Sequence, residues 1–583
     1  MLDSVPVPFQ AILWPLFGAT VVLALGRLLP YWARQSLAVL SAAASFAVLW
    51  SLREAAPVKT EILWEPLNLF RMSPVLVPDG LSLAVGLTLA GVTTAALIGI
   101  RDREVQGATW HGLMLITLAG CLTMVMAASL VALALASALV DLSLVFLAIS
   151  SRDGREAGNN MPLALAIPGI ASTLTLLLGA IQMDAQAGHG SLLSQTFSPE
   201  ALVLLGIAAL LRSFVYPLHP RHLHRPESAI ALLLPVGAGL YLLARVQSLL
   251  PVLSSQPWLV ALAAVALLAG GLLAWSRAFA LEAAASRPAG FGRFWVGSLV
   301  QQTGYALTFF LLLAGVQPWP LMSLMLALAA LIIWWAEPTG EASAPARTQV
   351  LDQIRERLAA RRARSGSVAG GVPVRPGRWR DSRFAHFAVA LLPLVSVASL
   401  IGAPLTAGAR GRWPLYATLL QRGDGSLLVA LMADTLLVAG LSMGLAITLK
   451  QAGARRPRPL ALLASGILVL ALVLLGLAPG LLGDGLGLAE TGPAHVSAWG
   501  LGLLYVLPWL LGVWLARIRR ILSNYFGPIE KLVNLDWCYR VVGWIGQHLV
   551  DAIYWLGRVG EGEGWWGWAL IVLSLGILLL AAR

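Results

Sequence analysis

The sequence has little charge and almost no lysine. Charged residues make up 12% of its 583 positions, hydrophobic residues make up 58%, and the mean hydropathy is +0.79. Lysine occurs only at Lys59, Lys450 and Lys531, so nearly all the basic charge is arginine. This composition lies outside the range of soluble domains and is typical of a polytopic membrane protein. The net charge of +12 does not indicate nucleic-acid binding, because arginine-rich cytoplasmic loops explain it.

Cysteine is equally scarce, and the usual cofactor motifs are missing. Cys121 and Cys538 lie far apart, without C-x-x-C or haem-attachment spacing, so we expect no iron–sulfur cluster, haem or structural zinc. The stretch HPRHLHR (219–225) alternates histidine with arginine, which would repel a cation. No G-x-x-x-x-G-K-[ST] loop occurs, so the chain is not a self-contained ATPase. We therefore expect no cofactor and no metal site.

Long apolar runs dominate what is present. Each is about 20 residues, enough to cross a hydrocarbon core of roughly 30 Å. They predict an all-α polytopic membrane protein of about 14–16 transmembrane helices. The runs lie near residues 10–27, 35–52, 79–100, 110–127, 129–150, 161–183, 199–217, 228–248, 257–276, 293–315, 318–336, 384–406, 426–449, 459–483, 496–516 and 565–582.

The loops between these runs predict the orientation. If every run spans the bilayer, most arginine-rich loops fall on one side, which places the N-terminus outside a bacterial cytoplasmic (inner) membrane. The segment 540–558 is shorter and carries His548 and Asp551, which favours an interfacial amphipathic helix. The basic segment 337–383 has two interpretations: a disordered loop, or an amphipathic helix on the membrane or a partner subunit.

Ionisable residues inside the predicted spans are functional candidates, because a charge there costs several kcal/mol unless it faces a partner or a polar path. Two of them have a simpler explanation. Asp434 can be satisfied between neighbouring helices, and Arg245 can extend to the interface from a span end. The candidates for a proton path, or for organising charge along one, are Asp141, Arg212, His219, Arg245, Arg412 and Asp434.

Several stretches together form a more specific pattern than the single charges. In chain order they are PDGLSLAVGLTLA (78–90), LRSFVYPLHP (211–220), GAGLYLLAR (237–245), SLVQQTGYAL (298–307), SLIGAPLTAGARGRW (399–413) and LDWCYR (535–540). In this pattern the chain resembles the antiporter-like subunits of respiratory complex I. That superfamily includes subunits of membrane-bound hydrogenases and of multisubunit cation/proton antiporters. The resemblance covers roughly residues 60–450, with a weaker tail to 560.

The resemblance implies two inverted bundles, each with a broken helix near the bilayer midplane. It places the breaks at Pro217 and at Pro404 and Gly408. It also implies other membrane subunits as partners, among them antiporter-like paralogues, and redox chemistry that takes place in partner subunits. The implied organisation is N-terminal transmembrane helices at 1–100, a first bundle at 101–250, a second bundle at 251–336 and 384–450, a basic loop or amphipathic segment at 337–383, and C-terminal transmembrane helices at 451–583.

The family's proton path runs from a glutamate through a lysine on the first broken helix, then a lysine or histidine, to a lysine or glutamate on the second broken helix. This chain departs from that pattern. The two broken-helix positions fall at Arg212 and Arg412, and the middle basic position falls at Gly237, with the nearby histidine position at Ala231. His219 matches a histidine of the family. Arginine, unlike lysine, does not release its proton in proteins.

The glutamate position falls at Ala138, and Asp141 lies about one helical turn later, where it could substitute. Two hypotheses follow. The chain is a proton- or sodium-conducting subunit of an energy-converting complex, or it is a scaffold that kept the fold and lost transport. A standalone carrier or enzyme is disfavoured, because no catalytic constellation is present. The host could be a respiratory oxidoreductase, a hydrogenase-like assembly, a cation antiporter or an inorganic-carbon uptake system.

Overall fold

The structure, a computed structural model, describes most of the predicted spans. The described residues are 6–26, 28–61, 75–100, 107–150, 160–187, 199–218, 226–249, 257–283, 290–313, 317–335, 383–423, 425–452, 459–480, 498–518, 533, 541, 544, 547, 548 and 551. His219, most of the segment 337–383 and the run at 565–582 lie outside them.

Sixteen α-helices form within the described residues. They are α1 Val7–Leu25, α2 Tyr31–Ser51, α3 Gly80–Gly99, α4 Gly107–Met126, α5 Leu130–Ser150, α6 Asn160–Ala187, α7 Pro199–Arg212, α8 Pro226–Leu249, α9 Pro257–Ala283, α10 Gly290–Leu312, α11 Trp319–Trp335, α12 Arg383–Leu400, α13 Ala407–Arg422, α14 Ser426–Ala452, α15 Pro459–Leu477 and α16 Ala498–Arg517. A 3₁₀ turn, Leu52–Glu54, and an antiparallel ribbon of β1 Thr60–Glu61 with β2 Val75–Leu76 complete the described elements.

Ten helices in the described part are long and apolar enough to cross a membrane, and three more are apolar but shorter. A helix satisfies all its backbone hydrogen bonds internally, which is what the hydrocarbon core demands of a spanning segment. The predicted fold class, an all-α polytopic membrane protein, is therefore confirmed.

One helix, α13, was not among the predicted spans. The predicted run at 384–406 contains the end of α12 at Leu400, and a separate helix starts at Ala407. Hydropathy does not mark α13, because Arg410, Arg412 and Arg422 lower its apolar content below that of a membrane span. The helix nonetheless buries Arg412 and much of one face against its neighbours.

Helices differ in how much of their surface the chain itself covers. In α3, α8 and α11 nearly all side chains are buried, whereas α1, α2 and α15 expose much of their apolar surface. Close approach of backbones holds the interior together, as is usual where lipid removes the hydrophobic driving force. At Gly270 of α9, an added Cβ would lie 2.1 Å from the backbone nitrogen of Gln301 in α10. The helices α9 and α10 are thus in contact at backbone distance.

The chain divides into two compact units, Met1–Leu522 and Ser523–Arg583. In the second unit, the described residues of the predicted interfacial segment are helical, and Val541 and Trp544 are exposed. The ring of His548 lies 4.2 Å from that of Trp544, one turn away. That this segment lies at the membrane interface stays a prediction.

Candidate functional site

A first cluster is built around Asp141 and Arg212, and also contains Ser137, Gly169 and Thr173. Arg212 Nη1 donates to Asp141 Oδ1, while Nη2 lies 3.0 Å from Asp141 Oδ2. Nη2 also lies 3.0 Å from Thr173 Oγ1 and contacts Ser137 Oγ. The Thr173 hydroxyl donates to Asp141 Oδ2 at 2.6 Å. Arg212 is fully buried and Asp141 is 7% exposed, so the two charges neutralise each other away from water.

Three helices position this cluster. Asp141 lies in the middle of α5, and Arg212 is the last residue of α7, where the negative end of the helix dipole favours a cation. Beyond it, Phe214 adopts the left-handed conformation (φ +50°), and Pro217 lies in the irregular stretch that follows. Gly169 of α6 makes room for the carboxylate, because an added Cβ would lie 2.3 Å from Asp141 Oδ1.

Asp141 and Ala138, the family's glutamate position, lie on different faces of α5. Ala138 is exposed, and so are Leu135 and Leu142 on the outer face of the helix. Asp141 points inward, towards α6 and α7. The inward carboxylate is therefore residue 141, and a carboxylate at position 138 would face away from Arg212.

A second cluster is built around Arg412 and Asp434, and also contains Gln301, Tyr305 and Tyr416. Arg412 Nη1 donates to Asp434 Oδ1, and the Tyr416 hydroxyl donates to Asp434 Oδ2. Gln301 Nε2 donates to Asp434 Oδ1 at 3.0 Å. The guanidinium carbon of Arg412 lies 4.4 Å from the centroid of the Tyr305 ring, a cation–π geometry. Arg412 is 2% exposed and Asp434 is 1% exposed.

A break between α12 and α13 shapes the second cluster. After Leu400, Gly402 adopts φ +82° and Leu405 adopts φ +68°, so the chain turns sharply before α13 begins. A Cβ on Gly402 would lie 2.7 Å from Arg412 Cδ, so this turn admits the arginine side chain. Pro404 lies in the break and is exposed, and Gly408 lies in the first turn of α13, where its N–H donates to Ser399 Oγ.

Arg245 belongs to a third pair. It donates to Asp79 Oδ2, and its Nε donates to the Tyr241 hydroxyl at 2.9 Å. Asp79 also caps the start of α3, where its Oδ1 accepts from the backbone N–H of Ser82 at 2.9 Å. Arg245 thus connects α8 to α3. Its place near a span end predicted only that its side chain extends to the interface, and the structure adds the ion pair with Asp79.

The helix α8 carries no buried charge at the middle positions of the family's path. It packs against α5, α10 and α11, among other helices. Ala231 is buried, and a Cβ on Gly237 would lie 2.5 Å from the sulfur of Met325. Among the described residues, the buried aspartate, arginine and histidine side chains are His111, Asp141, Arg212, Arg412 and Asp434.

Several cluster members were absent from the predicted candidates. Gln301 and Tyr305 lie in the quoted stretch 298–307, and Asp79 lies in 78–90, so a sequence signal existed for them. Thr173 and Tyr416 carry no such signal, because isolated hydroxyl residues are common in membrane helices.

The arrangement holds two neutral ion pairs inside a membrane fold. Each arginine keeps its proton, so neither can pass one on as a lysine can. The described residues contain no group of three or more His, Cys, Asp or Glu side chains that could hold a metal ion.

No protein-family model and no curated protein matches this sequence. Solved structures do match. A chain of the Mrp complex from Dietzia sp. DQ12-45-1b matches with a TM-score of 0.73 and 17% identity over 99% of this chain. A chain of the membrane-bound sulfane sulfur reductase, an archaeal respiratory membrane complex, matches with a TM-score of 0.63 and 16% identity, covering 98% of this chain and 99% of that one.

A chain of respiratory complex I from Thermus thermophilus matches with a TM-score of 0.55 and 20% identity, covering 87% of this chain and 99% of that one. This chain spans only 63% of the length of the Mrp chain. At these identities the likeness shows the fold. The chain therefore has the fold that its resemblance to antiporter-like membrane subunits implies.

Proposed function

We propose that this chain is a membrane subunit of a multisubunit energy-converting complex, in which its two buried Asp–Arg pairs are fixed structural charges. One observation carries the proposal: both arginines at the family's lysine positions are bound to an aspartate inside the fold. A carrier at these positions would have to give up a proton, and arginine does not. The middle basic position of the family's path supports the same conclusion, because it is Gly237 here and an added Cβ would lie 2.5 Å from the sulfur of Met325.

The fold neighbours support the rest of this assignment. Each comes from a multisubunit membrane complex, so we expect this chain to bind other membrane subunits, including antiporter-like paralogues that carry protons. We place it in the cytoplasmic membrane of a bacterium with its N-terminus outside. A cysteine introduced near residue 3 should then react with an impermeant maleimide in intact spheroplasts, and protection from the reagent would reverse the topology.

A second candidate function is proton translocation through this chain, and the second cluster favours it. Gln302 Nε2 donates to Gln301 Oε1 at 3.3 Å, and Gln301 donates to Asp434. The amides continue the polar contacts away from the carboxylate, to the backbone oxygen of Leu400 at 3.2 Å. A chain of polar groups beside a buried carboxylate is a feature of proton paths in membranes.

Neutral replacement of each pair in the assembled complex distinguishes the two candidates. The variants are Asp141→Asn with Arg212→Gln, and Asp434→Asn with Arg412→Gln, which remove charge in pairs and leave no buried charge unpaired. Under the structural proposal, a complex assembled with either double variant translocates as many protons per turnover in proteoliposomes as the complex with the unchanged chain. A lower ratio, with assembly intact on a native gel, would overturn the proposal in favour of translocation.

A further inference from the structure

We infer that the second cluster binds an internal water molecule between Arg412 and Tyr305, and that the first cluster has no equivalent site. The inference does not depend on the proposed function, since a structural ion pair and a conducting one can both hold water. It rests on the hydrogen-bond partners of the two arginines.

Two polar atoms of the second cluster have no hydrogen-bond partner among the described residues. They are Arg412 Nη2 and the hydroxyl of Tyr305, and both residues are more than nine-tenths buried. The two residues are in contact, because the guanidinium carbon of Arg412 lies 4.4 Å from the centroid of the Tyr305 ring. A buried Nη2 donor and a buried hydroxyl are strongly disposed to bind a further polar group.

The chemistry of the two atoms selects the ligand. It must accept from Arg412 Nη2, and it must accept from or donate to the Tyr305 hydroxyl. Gly411 has no side chain here, and the position that its Cβ would take lies 3.0 Å from the Tyr305 hydroxyl. Arg412 and Asp434 already cancel in charge, so an anion would leave a net negative charge buried. Water fits all of these conditions, and buried waters occupy such sites with two to four polar partners.

Among the described residues, the first cluster has neither an unpartnered terminal guanidinium nitrogen nor an unpartnered hydroxyl. Both terminal nitrogens of Arg212 have partners, and Nε is its only atom without one among the described residues. Its neighbours Ser137 and Thr173 supply hydroxyls directly, in the role that water would have in the second cluster. Phe214, two residues beyond Arg212, is buried and adds no polar group.

Radiolytic hydroxyl-radical labelling of the full chain in lipid nanodiscs tests the inference. X-ray pulses generate radicals from bound water in place, so buried side chains beside a water are oxidised although bulk solvent does not reach them. We expect Tyr305 to be oxidised several-fold faster than Tyr241, a buried tyrosine whose hydroxyl is bonded to Arg245. Phe309, one turn along α10 from Tyr305, and Phe214 in the first cluster should be oxidised as slowly as Tyr241.

Replacement of Tyr305 by phenylalanine provides the matched variant. Phenylalanine keeps the ring against Arg412 and removes one of the two water partners, so oxidation at position 305 should fall to the rate at Phe309. Equal oxidation of Tyr305 and Tyr241 in the parent chain would overturn the water site. Oxidation of Phe214 at the rate of Tyr305 would overturn the difference between the clusters.

Discussion

The two buried Asp–Arg pairs have the same charges and different surroundings. In the first cluster the arginine ends the helix before a break, and hydroxyl groups of Ser137 and Thr173 surround it. In the second cluster the arginine follows the break, and it lies against an aromatic ring. Burial requires a counter-charge for each arginine, whereas its remaining hydrogen bonds can come from different groups. Both terminal nitrogens of Arg212 are bonded within the protein and only its Nε lacks a partner among the described residues, whereas the second cluster leaves Arg412 Nη2 and the Tyr305 hydroxyl without one.

Replacement of Asp141 by leucine should have the largest effect. It leaves the Arg212 charge buried without its partner, so the apparent free energy of unfolding should fall by about 3–5 kcal/mol. Thermal unfolding in nanodiscs measures the change. Leu142→Ala is the matched control, because the neighbouring side chain is exposed on the outer face and should change stability little.

The double variant Asp141→Leu with Arg212→Met sharpens this result. It removes both charges together, and apolar replacements of buried ion pairs are often neutral or stabilising. Most of the lost stability should therefore return. If the double variant is as unstable as the single one, the pair is needed for its hydrogen bonds and not for neutrality alone.

Replacement of Tyr416 by phenylalanine should have the next largest effect and tests the second cluster. It removes a hydroxyl that donates to the Asp434 carboxylate, and hydrogen bonds to charged groups contribute about 1.5–3 kcal/mol. Tyr305→Phe should cost less than about 1 kcal/mol, because that hydroxyl has no protein partner among the described residues. The same unfolding assay compares them, and equal losses would contradict the difference in bonding.

Gly169→Ala should destabilise the first cluster by about 1–3 kcal/mol, because the new methyl group would overlap the Asp141 carboxylate. Gly179→Ala, in the same helix, is the control. Its Cβ would lie 3.7 Å from Leu204 Cβ, an ordinary contact. Melting temperatures of the two variants in nanodiscs measure the contrast, and a Gly169→Ala variant as stable as the control would show that the carboxylate can move aside.

The helix α13 and Asp141 show where prediction from sequence ended. Hydropathy predicted the membrane spans because an apolar run is a local property that requires no knowledge of neighbours. It missed α13, whose buried Arg412 is paired with Asp434 of the next helix. The alignment pointed to position 138, but only the rotation of α5 in the bundle places residue 141 inward and 138 outward.

Composition and periodicity are enough to identify this chain as a helical membrane protein with a few charges inside its spans. Which of these charges form pairs follows from the tertiary structure alone. Arg212 pairs with Asp141 across 71 positions, and Arg245 pairs with Asp79 across 166. Such contacts depend on how helices cross and rotate, and on glycines such as Gly169 that let a carboxylate approach. No local pattern encodes that geometry, because it arises from the packing of the whole bundle.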